Sequence, residues 1–194
     1  MPLTLRARRL APAAASLVAG LAGIAGSLVI VVATLLPTRL AAESRPLPSG
    51  AFAFELEVVV PAPPERAFDA FTRETLAWWD HHFSENPKSL HFDTRPGGGF
   101  VEVFDEAGNG AWHATVITVD RPKRLRFVGP LGLAGNAIDM VHTLDFEPVE
   151  SGTRVKLAVH AAGEVQEGWP ATVEGVWSHF LVERFLPYVT ANPK

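Results

Sequence analysis

The chain of 194 residues contains no cysteine. This excludes a disulfide framework, thiolate catalysis and thiolate metal ligation. It does not fix the compartment, because an exported domain can do without disulfides. Positive charge is also thin over the larger part of the chain. From Ala51 onward there are 12 Lys and Arg against 20 Asp and Glu, a net of −8 that the whole-chain value of −4 conceals. An acidic domain is a poor partner for phosphate backbones, so no nucleic acid is expected. The local cluster Arg121, Lys123, Arg124 and Arg126 reads as a solvated strand edge. No HExxH or comparable ligand spacing occurs, and no serine has the context of an activated nucleophile. No metal and no cofactor are expected, and no internal repeat is visible.

What the sequence does have is one long uncharged stretch, Leu10 to Leu36. The apolar core of a cleaved signal is roughly 7–15 residues, whereas a membrane span needs about 20. "SLVAGLAGIAGSLVIVVATLL" (16–36) suits a span. Arg6, Arg8 and Arg9 precede it, which orients the N-terminus to the cytoplasm and the remainder outside. Ala15, Ala19, Gly23 and Ser27 put small residues on one helix face. "TRLAAES" offers Ala41 and Ala42 as a cleavage site, so removal is the alternative to an anchor. Either way the domain is expected outside the cytoplasm, as a single-pass protein of the cell membrane or an exported one. The chain thus divides into an anchor or signal (1–36), a Pro-rich tether (37–50) and a domain (51–194).

In the domain, "AFAFELEVVV" alternates like a half-buried strand, with Phe52, Phe54, Leu56, Val58 and Val60 on one side. "PAPPERAFDAFT" predicts a helix opened by proline, and "RETLAWWDHHF" a second short helical piece. Strands are expected at 88–93, 99–105, 111–120, 123–129, 137–147 and 153–162, separated by turn residues. From 169 to 188, Val173, Val176, Trp177, Phe180, Leu181, Arg184 and Phe185 follow amphipathic-helix spacing. These elements bury their faces most simply as an α+β fold, a curved antiparallel sheet wrapped around a long C-terminal helix.

Two polar residues break this pattern. Glu102 lies between Phe100 and Phe104, and His113 is in step with Ile117 and Val119. A hairpin turn centred between Ala107 and Gly108 pairs Glu102 with His113, and centring it one residue later pairs Glu102 with Thr115. In both cases Glu102 and His113 share a face, and a bulge in "EAGNG" would break the relation. The bulk of Phe100, Phe104, Ile117 and Val119 against Val101, Val103, Ala114 and Thr118 places the pair inward. His142 alternates with Ile138, Met140, Leu144 and Phe146 and should also point inward.

"VVVPAPPERAFDAFT", "WWD", "RPGGGFVEV", "ATVITVDRPKRLRFVG" and "TLDFEPVESGTRVKL" resemble the SRPBCC superfamily of START and birch-allergen-like helix-grip domains. Within it they resemble the branch related to the activator of the heat-shock ATPase. The resemblance covers about residues 52–190. Exported members are similar in a tryptophan pair followed by a His, a Gly-Gly strand containing Glu, and a His opening the next strand. Those features fall on Trp78, Trp79, His82, Glu102 and His113. Cysteines often flank that Glu in the exported members; Gly99 and Val101 stand here, which removes any thiol role. The resemblance implies a helix-grip fold with a pocket for a small apolar molecule or lipid, and catalysis only in some branches.

The candidate ligand-binding residues are Trp79, His82, Phe100, Glu102, His113, Met140, His142, Trp177 and Phe180. Glu102 and His113 are also the candidate catalytic pair of a cyclase- or hydrolase-like enzyme, and the alternative to either role is a structural hydrogen bond that satisfies two buried polar groups. The leading expectation is non-catalytic binding of an apolar ligand, with the enzyme or a protein-interaction module as alternatives. "GPLGLAGN" (129–136) is either a flap over the cavity mouth or a packed connection. His81, His91, His160 and His179 read as surface residues. Neither the ligand nor the oligomeric state is legible.

Overall fold

A computed structural model describes residues 46–194. The anchor or signal segment (1–36) and most of the tether lie outside the described residues. Among those described, no helix is long and apolar enough to cross a membrane. Strand β1 (Ser49–Val60) begins two residues inside the stretch read as tether.

Seven antiparallel strands form one sheet in the order β1-β7-β6-β5-β4-β3-β2. They are β2 (Ser89–Phe92), β3 (Gly99–Val103), β4 (Gly110–Asp120), β5 (Arg124–Val128), β6 (Ile138–Val149) and β7 (Gly152–Glu164). The alternation of β1 is matched by burial that deepens along the strand, from half-buried Phe52 to fully buried Val60. The whole strand pairs with β7, from Ser49↔Glu164 to Val60↔Thr153. Gly152 opens β7 at φ +135°, where a Cβ would stand 2.1 Å from the Val60 carbonyl oxygen. Only glycine allows the first strand to close on the last at that point.

Helix α1 (Pro64–Arg73) starts on prolines, whose missing N–H is no loss in a first turn. It buries Ala67, Phe68, Ala70 and Phe71. The Phe71 ring meets Trp78, Phe92, Phe146 and Phe185, joining α1, the sheet and the C-terminal helix in one aromatic core. That last helix runs continuously as α2 (Trp169–Ser178), a π-helical segment (His179–Phe185) and α3 (Leu186–Ala191). Pro187 has no N–H to return to the preceding turn, and that turn opens to π spacing. Trp177, Phe180, Leu181, Phe185 and Val189 are buried.

Two expectations change. The second helical piece is a single 3-10 turn, Thr75–Ala77, followed by irregular chain up to β2. The β3–β4 register also differs: Glu102 lies opposite Ala111, not His113 or Thr115. Asp105 sets this by accepting from the Ala107 and Asn109 amides, which tightens the turn. The bulges fall inside β4. Val101 pairs with Trp112 and Phe100 with Ala114, leaving His113 as the extra residue. Val116 pairs with Phe127 and Thr118 with Arg126, leaving Ile117 extra. Ala114 and Val116 therefore face inward and Ile117 faces solvent, the reverse of the expected faces.

Candidate functional site

Glu102 is fully buried on β3. Its Oε1 accepts hydrogen bonds from the backbone N–H groups of Phe83 (3.0 Å) and Ser84 (2.8 Å). Its Oε2 lies 3.1 Å from the same Phe83 amide and 2.9 Å from His113 Nε2. Burial alone would raise the carboxyl pKa. The Ser84 and Phe83 amides, and then the His113 ring, outweigh it and hold the group below the usual carboxylate range. Glu102 thus satisfies the free amides of a non-helical loop and fixes the His113 ring. Nε2–H donates to the carboxylate, and in the tautomer protonated only there Nδ1 is an acceptor. The Nδ1 atom has no hydrogen-bond partner among the described residues. Phe83 and Phe100 pack on the imidazole, with ring centroids 4.8 and 5.2 Å away.

His113 forms part of the wall of a cavity of about 520 Å³ between the sheet and the C-terminal helix. One side is Met140 of β6 with Val173, Val176, Trp177 and Phe180 of the helix. Trp79 stacks on Phe180 at 3.7 Å between centroids and meets Trp177 edge-on at 5.8 Å. The loop residues Asp80, His81, His82 and Phe83 form the polar end. His82 Nε2 is a buried polar atom without a partner. Pro130, Leu131, Gly132 and Leu133 cover a further side, so the glycine-rich connection packs as cavity wall. Leu131 holds φ +50°, a left-handed conformation that is strained for a branched side chain.

The structure brings Trp79, His82, His113, Met140, Trp177 and Phe180 together on the cavity. Phe100, Glu102 and His142 stand behind its wall. Phe100 is stacked on Phe92 at 4.1 Å, and Glu102 reaches the cavity only through His113. His142 is fully buried, stacked on Phe127 at 4.7 Å and 5.3 Å from Trp177. Neither of its ring nitrogens has a partner. Burial pushes its pKa down to about 3; the Phe127 backbone opposes this weakly without meeting hydrogen-bond geometry. The ring is therefore neutral. Sequence reasoning missed Asp80 and Phe83, which belong to irregular chain with no period to read. It also missed Thr172 as a lining residue, and left Val173 and Val176, both on the expected helix face, out of the candidate site.

The profile of the Activator of Hsp90 ATPase homolog 1-like protein family matches residues 61–189. Solved structures share the fold. A Chromobacterium violaceum protein is 23% identical with TM-score 0.53, over 71% of this chain and 96% of its own. A Rhizobium leguminosarum protein is 20% identical with TM-score 0.53, over 72% and 97%. An AHSA1-like protein from Aeromonas hydrophila is 20% identical with TM-score 0.51, over 73% and 94%. No curated protein matches significantly. At these identities the structural likeness establishes the fold alone.

Proposed function

This chain belongs to the Activator of Hsp90 ATPase homolog 1-like family, and from that premise we propose that its domain binds a small, largely apolar ligand between sheet and helix. The cavity carries the reading. Its volume lies within the roughly 300–1,000 Å³ of small-molecule sites. Its walls are mostly aromatic and aliphatic, with convergent polar groups at one end. Apolar surface entering such a cavity gains about 25 cal/mol per Å² removed from water. His113 Nδ1 then orients a polar end of the ligand. A hydroxyl, N–H or protonated acid suits the acceptor that Glu102 enforces on His113.

Native mass spectrometry of the purified full-length chain tests the proposal. A discrete copurified mass of a few hundred daltons, released on unfolding, is the expected outcome. Only the unliganded mass, even after incubation with membrane lipid extract, counts against it.

The 2.9 Å Glu102–His113 contact favours a second reading, in which His113 moves a proton as general base or acid and Glu102 orients it. Binding that survives His113→Ala while turnover of the bound molecule disappears would select this reading over simple binding.

The apolar stretch 16–36 supports a location at the outer face of the cytoplasmic membrane, as an anchored or exported protein. The anchored form should remain in the membrane fraction after a high-salt wash. A soluble mature chain beginning near Glu43 would contradict the anchor.

A further inference from the structure

We propose that Asp80, His81 and His179 form a binding site for a divalent first-row transition metal, zinc being the type ion, at the polar end of the cavity. Three donor atoms converge there from two parts of the chain 98 or more positions apart. Asp80 Oδ1 lies 2.9 Å from His81 Nδ1 and 3.1 Å from His179 Nε2. All three residues offer donor atoms within 4.8 Å of one another. Ligand atoms about 2.0–2.1 Å from a zinc ion at tetrahedral to octahedral angles stand roughly 2.9–3.4 Å apart. The two contacts to Asp80 already have that spacing.

The surroundings suit a metal as well. His179 Nδ1 lies 2.9 Å from Glu183 Oε2. A proton held on Nδ1 by that carboxylate leaves the Nε2 lone pair free, the usual carboxylate–histidine–metal arrangement. Arg184 Nε contacts the other Asp80 oxygen, Oδ2, at 3.2 Å, and His179 Nε2 also approaches Oδ2, at 2.9 Å, so either carboxylate oxygen is within reach of a shared ion. Arg184 also donates to the Trp78 carbonyl, which ties the helix to the loop carrying Asp80 and His81. His179, Glu183 and Arg184 all belong to the π-helical segment, a helix form concentrated at functional sites. Two imidazoles with one carboxylate select zinc and its neighbours over magnesium or calcium, which take oxygen ligands. Three protein ligands leave a coordination position for water or a ligand. Asp80 and His81 line the cavity, so a metal held there would neighbour whatever occupies it. This site is independent of the apolar-ligand reading.

The competing occupant is a proton. His179 can stand between Asp80 and Glu183 as an imidazolium with no metal. A zinc titration separates the two, using the full-length chain with any affinity tag removed and metal stripped by chelator. Zinc is titrated against a chromophoric competitor. One equivalent should bind at micromolar affinity or tighter. His81→Ala and His179→Ala should each weaken binding about 100-fold, and Glu183→Gln about tenfold, the range for a supporting carboxylate. Thermal unfolding of each variant reports whether it is folded. Cobalt(II) provides a second readout in the wild type, where visible d–d bands stronger than those of the aqueous ion are expected. No stoichiometric zinc binding, or binding unchanged in both histidine variants, would each overturn the proposal.

Discussion

His142 shows what burial does to a single titratable group. Its imidazole is stacked between Phe127 and Trp177 with both nitrogens unpartnered, and its pKa is pushed down to about 3. The unfolded chain binds a proton there near pH 6.5, while the folded chain does not until about pH 3. Between those values the unfolded state holds more protons, so stability falls as pH falls. The contribution is complete above pH 6.5 and shrinks through the window. From pH 6.5 to 4.5 this residue alone should cost on the order of 2–3 kcal/mol. His142→Leu should remove that slope in urea unfolding followed across the window. The same slope in wild type and variant would show that the ring takes up its proton in the folded state.

The β3–β4 hairpin and the loop after Trp78 act together through Glu102. The strand supplies a buried carboxylate, and the loop supplies two amides that a helix would have kept for itself. Removing the carboxylate leaves those amides and the His113 Nε2–H unsatisfied, at about 1–3 kcal/mol for a buried group. Glu102→Ala should therefore destabilise more than His113→Ala. The double variant should show a coupling of about 1 kcal/mol, within the range for residues in contact. Hydrogen exchange should rise at Phe83 and Ser84 in Glu102→Ala alone. Additive losses with unchanged exchange would mean that the carboxylate holds neither partner.

Element types in this region were legible because period-2 alternation and turn residues are local signals. Trp169 to Phe185 was legible as a helix from its apolar spacing. The sharing of a face by Glu102 and His113 was also legible, although their register was not. An Asx turn at Asp105 and bulges at His113 and Ile117 depend on side-chain capping and strand coiling, which alternation does not encode. The segment 73–83 reads as a short helical piece, of which only Thr75–Ala77 is a helical turn. The conformation of the loop after Trp78 is set by a carboxylate 18 residues or more downstream. His81 and His179 read as surface residues, and His81 is exposed; their convergence on Asp80 was not legible, since only the fold brings the C-terminal helix onto that loop.

For the molecule as a whole, the sheet and the last helix enclose space that the aromatic core does not fill. Phe71, Phe92, Phe146 and Phe185 close one end, and the cavity occupies the other, between Met140 and the Val173–Phe180 face. That division makes the central claim testable by blocking the space without touching the polar pair. Val176 is a half-buried wall residue, and a tryptophan in its place would project into the cavity. The measurement is a fluorescence titration of the full-length chain with 1-anilinonaphthalene-8-sulfonate, comparing wild type with Val176→Trp. Saturable binding of one probe per chain, lost at least tenfold in a variant that melts as cooperatively as wild type, is the predicted result. A wild-type chain that binds no probe, or a folded Val176→Trp that binds it equally well, would contradict a ligand cavity at this site.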